Sequence, residues 1–383
     1  MHSPAVSPDA SVFRIHLLPA LHGDAIVVEY GPEKRPEFVL VDAGPKEAFQ
    51  EVKESLRSVL PRDDLRLLVV THIDTDHIDG VVKLFGAKGL SLKFDEVWFN
   101  GWPQLDHQPK PVEPCEGSKT RGAIQGEYLE VRLKQLPWNT RFAGGPVVVN
   151  DDGLLPKFTL PGGLALTLLS PVPEKLEKLK TKWQKVITAL LAKYHGELTF
   201  EKRLESDPVY RDGDDEMPLD MDSVLLSASK LDSSVANGSS IAFLAEFAGR
   251  RCALLGDAHR DTVTETARRW CAENGVPRLP LTAVKLSHHG SDANIDDELL
   301  GLIDCRDFLV STDGGHFSHP DKATIERIIR RVDAPCFHFN YLSDTTRPWS
   351  DEANQRARGY RASYPANGAG GITVDLMQLP PCP

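Results

Sequence analysis

An α/β fold is predicted by three observations: apolar strand-like segments alternate with helical segments, turn residues separate them, and the 383 residues contain no internal repeat. Three strands are predicted near the N-terminus, at 13–18, 25–30 and 38–42, between turns that contain glycine or proline. A helix is predicted over 46–60, where apolar residues recur at helical spacing. The apolar run 67–70 predicts a buried strand that ends in a strongly polar turn.

The alternation continues to the C-terminus. Further strands are predicted at 94–100, 239–247, 251–255, 281–287, 308–311 and 372–376, with a hairpin over 158–171. Further helices are predicted from residue 80 onward and over 122–136, 174–194, 261–273, 296–303 and 322–332. The segment 347–371 is predicted to be a loop.

Composition is typical of a water-soluble enzyme. The chain is 41% hydrophobic, and no apolar run approaches the length of a membrane span. Residues 1–9 carry no basic region and no apolar core, so no secretory signal is predicted and a cytoplasmic location without membrane contact is expected. The six cysteines form no CxxC pair and are expected to be reduced, with Cys252, Cys305 and Cys336 in the core.

The formal net charge of −11 argues against a broad surface that coats nucleic acid. It leaves a nuclease possible, because acidic side chains can lie far from a substrate groove. Local pairs of basic residues, such as Arg268 with Arg269, are interpreted as solvated helix and hairpin surface.

Four side chains able to bind metal lie within six residues. His72, Asp74, Asp76 and His77 follow the buried strand at its C-terminal end, where α/β folds place their chemistry. A turn this short cannot bury two imidazoles and two carboxylates unpaired, because desolvating isolated charges is unfavourable. Imidazole and carboxylate together suit zinc, manganese or iron. The turn therefore predicts a divalent metal site.

The turn resembles the signature His-x-His-x-Asp-His of the metallo-β-lactamase superfamily, with Asp74 where most members have histidine. The variant His-x-Asp-x-Asp-His resembles the ComEC-like branch, whose members act in DNA uptake. Other segments similar to the superfamily occur in the same order at 21–30, 39–44, 252–257, 286–291 and, in the ComEC-like manner, 318–320. The resemblance covers about 12–330 and implies an αββα sandwich with metals at one edge.

The resemblance also implies a dinuclear site with two divalent ions, zinc or manganese. One ion would take His72, Asp74 and a third ligand. The other would take Asp76, His77 and one histidine of the pair His288 and His289. Asp257 would bridge the ions, since a carboxylate has two oxygens.

Several further residues are candidates for catalysis or substrate contact. Asp76 is expected to orient or deprotonate the attacking water, and the histidine of the 288–289 pair that is not a ligand to contact a phosphate oxygen. Asn237 stands where most members have a further histidine, which would make the first site harder and more tolerant of manganese. His319 and Ser291 are candidate substrate contacts.

One domain is predicted over 12–383 after a flexible lead at 1–11, with insertions at about 101–156 and 174–222. The insertions are expected to wall the metal cleft and select substrate, with the acidic stretch 201–222 as an exposed loop. The alternative is a peripheral surface, including one that binds a protein partner.

Three functions remain open. The first is a metal-dependent phosphodiesterase acting on nucleic acid or another phosphodiester through a metal-activated water. The second is a hydrolase of small esters, lactones or phosphocholine-type substrates, for which a small closed pocket is expected instead of an open groove. The third is a regulatory protein with a weak metal centre.

Overall fold

A computed structural model describes residues 10–106, 121–193, 235–366 and 368–380. Most of the predicted flexible lead, at 1–9, and the predicted acidic loop at 201–222 lie outside these described residues. In the ranges that are described, no helix combines the length and apolar character that a membrane crossing requires.

Eighteen strands are named here β1 to β18 in chain order. They are β1 Ser11–Leu17, β2 Ile26–Pro32, β3 Glu37–Val41, β4 Asp64–Leu65, β5 Leu67–Val69, β6 Lys93–Phe94, β7 Val97–Trp98, β8 Lys157–Thr159, β9 Ala165–Ser170, β10 Ala242–Phe247, β11 Arg250–Leu254, β12 Leu279–Pro280, β13 Ala283–Lys285, β14 Ile303–Asp304, β15 Asp307–Val310, β16 Cys336–Phe339, β17 Arg361–Ser363 and β18 Ile372–Asp375.

Nine α-helices within the described ranges are named in the same way. They are α1 Phe49–Val59, α2 Thr75–Leu84, α3 Trp102–Leu105, α4 Arg121–Leu133, α5 Pro173–Lys193, α6 Arg260–Asn274, α7 Asp297–Leu302, α8 Lys322–Arg331 and α9 Glu352–Arg358.

Two mixed sheets form the centre of the fold. The first has the order β18-β1-β2-β3-β5-β7, in which β3, β5 and β7 run parallel. The second has the order β17-β16-β15-β13-β11-β10-β9-β8, in which β11, β13, β15, β16 and β17 run parallel. The remaining short strands form two two-stranded ladders, β12-β14 and β4-β6.

The sheets face each other across one apolar core. Alternate residues of β2, such as Val28 and Tyr30, point into it, while Val27 points to the other face. The Trp98 ring of the first sheet packs edge-on against Phe243 of the second, with ring centroids 6.4 Å apart. Helices α1, α2, α4 and α5 cover the outer face of the first sheet, and α6 to α8 cover that of the second. This arrangement confirms the predicted αββα sandwich.

Two glycines let the loops after β1 and β3 lie directly on helix α2. A β-carbon at Gly23 would overlap the Asp76 carbonyl oxygen, and one at Gly80 would overlap the Ala43 carbonyl oxygen. The Asp24 amide donates to the Asp76 carbonyl at 3.3 Å. Because no side chain separates these backbones, the polar turn after β5 is held against the end of the first sheet.

Several element predictions were wrong. Helix α2 begins at Thr75, five residues before the predicted start at residue 80. The segment 94–100 is divided between β6 and β7, which belong to different sheets. The predicted loop 347–371 contains α9 and β17, and β16 was not predicted. The three cysteines predicted to be in the core, Cys252, Cys305 and Cys336, are buried and free, as is Cys271.

Candidate metal centre

The polar turn is part loop and part helix. His72 and Asp74 precede α2, and Asp74 is the extended residue that caps its N-terminus without a side-chain hydrogen bond to it. Asp76 and His77 lie in the first helical turn. An acidic residue there is favourable because the free N–H groups give that end a partial positive charge. The helix therefore fixes the direction of two of the four side chains, which the sequence had placed on a turn.

A single buried carboxylate orients the two histidines of this turn. Asp42, at the end of β3, accepts the Thr71 amide at 2.8 Å and the Thr71 hydroxyl at 2.6 Å. It also accepts Nδ1–H of His77 at 2.8 Å. Because the Thr71 hydroxyl proton is used, Thr71 Oγ1 accepts Nδ1–H of His72 at 3.0 Å. Both imidazoles thus carry a proton on Nδ1 and turn Nε2 towards the centre.

The second sheet supplies the opposite side of the centre. Asp257 follows β11, and its amide donates to Ser240 Oγ at 3.1 Å. His288 and His289 follow β13 with positive φ angles of 49° and 55°, a region that L-residues adopt only when the surrounding structure requires it. His289 Nδ1–H donates to the Ser311 carbonyl at 2.8 Å, which again leaves Nε2 facing inward.

Four imidazoles converge on one carboxylate oxygen. Asp257 Oδ2 lies 3.4 Å from Nε2 of His77, 3.8 Å from that of His289, and 3.9 Å from those of His72 and His288. These distances exceed those of normal hydrogen bonds. They approach the separation of about 3.3 Å between two tetrahedral ligands bound at about 2.0–2.1 Å from a zinc ion.

Two groups of ligand atoms surround Asp257. Asp76 Oδ2 lies 3.5 Å from His289 Nε2 and 3.7 Å from His77 Nε2, and one ligand atom from each of these three residues and Asp257 lies within 4.8 Å of the others. We call this group the inner site. In the other group, the outer site, Asp74 Oδ2 lies 3.7 Å from His72 Nε2, and His288 lies across Asp257.

These residues fit divalent cations. The Nε2 atoms of His72, His77 and His289 and Oδ1 of Asp257 are buried without a hydrogen-bond partner. Buried polar atoms in folded proteins are nearly always satisfied, so such atoms clustered around one oxygen are arranged to share a cation as their partner. Imidazole nitrogen and carboxylate oxygen are the donors that zinc and manganese accept. The chemistry and the direction of the donor atoms therefore both suit metal binding.

The protonation of the imidazoles reflects the same charges. Burial and the neighbouring His77 lower the pKa of His72 to about 3. Burial also acts to lower the pKa of His289, but Asp257 and Asp24 outweigh it and raise the value to about 9. For His77, Asp257 and Asp76 outweigh burial and raise the pKa well above its ordinary value. The carboxylates therefore strongly favour a positive charge between them, and a bound metal ion would supply that charge.

A buried ion pair lies under the inner site. Lys285, at the end of β13, is fully buried and pairs with Asp24 Oδ2, and Asp24 Oδ1 lies 3.5 Å from His289 Nδ1. Burial acts to raise the pKa of Asp24, but Lys285 holds it below its ordinary value. The pair fixes the turn after β1 against the strand end that carries His289.

The other predicted site residues lie around the outer site. The Asn237 amide is 3.5 Å from His288 Nδ1. Ser291 is buried, and its backbone N–H closes the turn on the His288 carbonyl at 2.9 Å. The His319 ring lies 5.2 Å from that of His288, and burial and the charge of His288 lower the pKa of His319 to about 4. The roles assigned to these residues from sequence stay predictions.

Helices of the two predicted insertions lie beside the centre. A β-carbon at Gly122 in α4 would be 2.6 Å from the Ile73 carbonyl oxygen, so α4 lies directly on the polar turn. Lys175 of α5 is 3.1 Å from His259 Nδ1 and 2.8 Å from Asp261. Lys182 of α5 is close enough to Asp74 to act on its pKa, although burial and Asp76 raise that pKa well above its ordinary value.

Sequence reasoning missed the residues that orient the ligands. Asp42 lies in the segment 39–44 that resembles the superfamily but is assigned no role from sequence, and neither are Thr71, Ser311 and Lys285. The contacts of Asp42 with His77 and of Ser311 with His289 span 35 and 22 positions in the chain, and Lys285 pairs with Asp24, 261 positions away. The available signal was polarity at the C-terminal ends of adjacent parallel strands.

A second group of potential ligands is chemically different. Asp307, Cys336 and His338, on neighbouring strands β15 and β16, also bring ligand atoms within 4.8 Å of one another. However, His338 Nε2–H donates to Asp307 at 2.8 Å, and His338 Nδ1 lies 2.8 Å from Ser363 Oγ. Both ring nitrogens therefore have partners. We call this the lower cluster and interpret it as a structural ion pair.

No family model and no curated protein matches this sequence. Solved structures with similar folds include a single-residue mutant of CmlA β-hydroxylase, at 11% identity and a TM-score of 0.40, where 97% of this chain spans 55% of that protein. They also include the metallo-β-lactamase fold protein YhfI of Bacillus subtilis, at 11% and 0.39, and zinc-bound PqqB of Methylobacterium extorquens, at 12% and 0.40. The matches to YhfI and to PqqB each cover 95% of this chain and 99% of the chain in the solved structure. Values this low assign neither a family nor an activity.

Proposed function

We propose that this protein is a metal-dependent hydrolase that cleaves phosphodiester bonds. The observation that carries the proposal is the convergence of buried Nε2 atoms, without hydrogen-bond partners, on Asp257 Oδ2. Nitrogen atoms in this arrangement are suited to bind a metal and not to form a hydrogen-bond network. A metal held next to solvent-accessible side chains is suited to hydrolysis, because water and substrate can reach it. Accessibility comes from Asp74 and His288, whose side chains are 26% and 21% exposed.

The donor sets favour two divalent ions. The inner site, with two imidazoles and two carboxylates, suits zinc. The outer site contains Asp74 and, on the prediction that Asn237 contributes its amide oxygen, would suit manganese as well. Divalent ions held here would acidify water and stabilise negative charge on the reacting group.

The protein's own residues hold the reacting groups in place. Asp42 and Thr71 fix the rings of His72 and His77, and Ser311 fixes that of His289. The Asp76 side chain is 13% exposed, and we assign to it the orientation of the attacking water or the receipt of its proton, through the carboxylate oxygen that is not used as a ligand. His288 stands at the accessible edge, where its ring can donate to a phosphoryl oxygen.

A phosphodiester is favoured over a neutral ester because cationic side chains flank the outer site. Lys182 is near enough to Asp74 to lower its pKa electrostatically. Lys175 lies 3.1 Å from His259 Nδ1, in the loop that follows Asp257, and also pairs with Asp261 at 2.8 Å. Local positive charge of this kind draws in an anion even when the whole chain carries a net charge of −11.

The test loads the purified chain with Mn²⁺ or Zn²⁺ and compares bis-p-nitrophenyl phosphate, single-stranded DNA and RNA with a cephalosporin and a lactone. We expect cleavage of the phosphodiesters, with cleavage of the polyanions falling as salt rises because phosphate contacts release counterions. Asp257→Asn should remove this cleavage. Asp333→Asn, the same change at a side chain that is 91% exposed, is the matched control and should leave it intact.

Two outcomes would overturn the proposal. Hydrolysis of the cephalosporin or lactone without any phosphodiester would assign the site to small neutral substrates. Absence of bound metal after dialysis against metal-containing buffer, with normal circular dichroism, would remove the basis for hydrolysis altogether.

A further inference from the structure

An exposed phenylalanine stands beside the outer site. The loop between β15 and α8 carries Phe317 at its tip, with 43% of the residue exposed. In the described part of the chain, only Leu154 and Leu342 are other large apolar residues with such exposure. A single exposed apolar side chain is ordinary on a protein surface, so what distinguishes Phe317 is its position, with its ring 6.3 Å from that of His288.

The loop is anchored on both sides of its tip. The Asp313 amide donates to the Leu21 carbonyl at 2.9 Å, and Thr345 Oγ1 donates to the His319 carbonyl at 2.9 Å. The Asp321 amide donates to the Gly290 carbonyl at 3.1 Å, which joins the loop to the turn that carries His288. Phe317 is therefore held at a defined place relative to the metal ligands.

Rings connect Phe317 to the centre. Phe317 stacks on His319 with centroids 6.0 Å apart and an interplanar angle of 29°, and His316 meets its ring nearly at right angles at 4.3 Å. His288 lies 6.3 Å from Phe317 on the inner side, and His288 Nε2 is 3.9 Å from Asp257 Oδ2. A nucleobase stacked on Phe317 would therefore lie close enough to Asp257 for the phosphate of the same nucleotide to reach the metal ligands.

We propose that Phe317 is a stacking platform for the nucleobase next to the scissile phosphodiester, so that the preferred substrate is single-stranded nucleic acid. This inference rests on the proposed hydrolase function and narrows its substrate class. Base stacking on an aromatic side chain tolerates any sequence, because every base has a π-face. A base within a duplex is already stacked on both faces, whereas an unpaired base is available to Phe317. A phosphodiester without a planar group would gain nothing from this residue.

The experiment compares wild type with Phe317→Leu, which removes the ring but keeps apolar bulk, and Phe317→Trp, which restores a ring. Leu154→Ala is the control for loss of an exposed apolar side chain, since Leu154 is 77% exposed and lies in the loop before β8. Each variant is assayed on a single-stranded oligonucleotide and on the same oligonucleotide with abasic sites.

We expect Phe317→Leu to raise KM for the base-bearing substrate roughly 5- to 150-fold, the loss expected from one base–aromatic stack. Its kcat should stay near that of wild type, and its rate on the abasic substrate should not change. Phe317→Trp should restore KM, and Leu154→Ala should match wild type. Equal KM values for wild type and Phe317→Leu on the base-bearing substrate would overturn the platform.

A binding measurement separates this inference from the hydrolase proposal. The metal-loaded Phe317→Trp variant is titrated with thymidine 5′-monophosphate and with deoxyribose 5-phosphate, and its fluorescence is compared with that of wild type. Quenching by the nucleotide alone supports the platform even if no phosphodiester is cleaved. No quenching by the nucleotide overturns the platform, whatever the hydrolase assay gives.

Discussion

The metal centre and the lower cluster contain similar residues but differ in how the nitrogens of their histidines are hydrogen-bonded. Each joins histidine and aspartate from neighbouring parallel strands, and each is buried. In the metal centre, the Nδ1 atoms of His72, His77 and His289 are hydrogen-bonded and their Nε2 atoms are not. In the lower cluster, both nitrogens of His338 have partners at 2.8 Å.

The difference shows that proximity of potential ligands does not define a metal site. A histidine ligand needs one nitrogen to fix its ring and the other to carry a lone pair towards the ion. His338 uses both nitrogens for the protein itself. Although burial acts to lower it, the hydrogen bond to Asp307 raises the pKa of His338 to about 9, which favours the charged ring. With both ring nitrogens occupied by protein partners, His338 presents no lone pair to a metal, so this cluster is an internal ion pair.

The largest expected effect comes from removing the carboxylate shared by the two sites. Asp257→Asn should lower hydrolysis by at least about 10²-fold, the loss found when one group that stabilises developing charge is removed, and should lower bound metal measured by elemental analysis. His338→Gln should change neither the metal content nor kcat. Equal metal loss in both variants would break the distinction between the clusters.

A smaller effect is expected one contact away from the metal. Asp42→Asn places an N–H group against donors from Thr71 or His77, so the rings of His72 and His77 lose their orientation. We expect metal affinity to fall by about 10- to 100-fold, measured by competition with a chelator. Asp307→Asn is the same substitution in the lower cluster and should leave the affinity unchanged. A loss with Asp307→Asn would mean that the lower cluster supports the metal centre.

The lower cluster should instead affect stability in a pH-dependent way. Because the pKa of His338 is raised from about 6.5 in the unfolded chain to about 9 in the folded one, its stabilising contribution is complete below about pH 6.5 and lost as the pH rises through 9. Asp307→Asn should therefore lower the free energy of unfolding by on the order of 2–3 kcal/mol at pH 6. The deficit should shrink above pH 9. Urea denaturation of both proteins at each pH measures it, and a pH-independent deficit would contradict the charged pair.

The smallest expected effect is none at all. Co²⁺-loaded wild type should show the d–d absorption of imidazole and carboxylate ligands without a sulfur-to-cobalt charge-transfer band, because the inner and outer sites contain no thiolate. Cys336→Ser should give the same spectrum. A charge-transfer band present in wild type and absent from Cys336→Ser would show that the lower cluster also binds metal, through the sulfur of Cys336.

The sequence pattern identified the side chains that gather around Asp257, but not the residues that hydrogen-bond to them. His72, Asp74, Asp76 and His77 are close in the chain, so a local pattern identifies them. The αββα architecture follows from the order of strand and helix signals and from the resemblance of the short motifs. By contrast, Asp42 reaches His77 only because β3 and β5 are adjacent and parallel. Contacts of this kind depend on strand register, which no local pattern encodes.

The C-terminal region shows a second limit. Helix α9 has a capping aspartate, Asp351, whose side chain accepts the Asn354 amide at 2.6 Å, and a left-handed Gly359 at its end. Both signals were present, but no residue of α9 is buried. Helical periodicity reflects burial of one face, so a short exposed helix leaves no apolar pattern. The lower cluster was missed for a related reason, because β15, β16 and β17 meet only through their parallel pairing.

The two glycines that contact helix α2 carry a consequence for how this protein can vary. Gly23 and Gly80 bind nothing and donate nothing to a substrate, yet any β-carbon at either position would overlap a backbone carbonyl next to the polar turn. We expect saturation mutagenesis under selection for activity to find both positions as intolerant as the ligands, with alanine already excluded. Free exchange at either position would show that the turn can move away from the sheet and still work. If neither position tolerates a side chain, a functional homologue must keep glycine at 23 and 80 as strictly as it keeps the histidines of the centre.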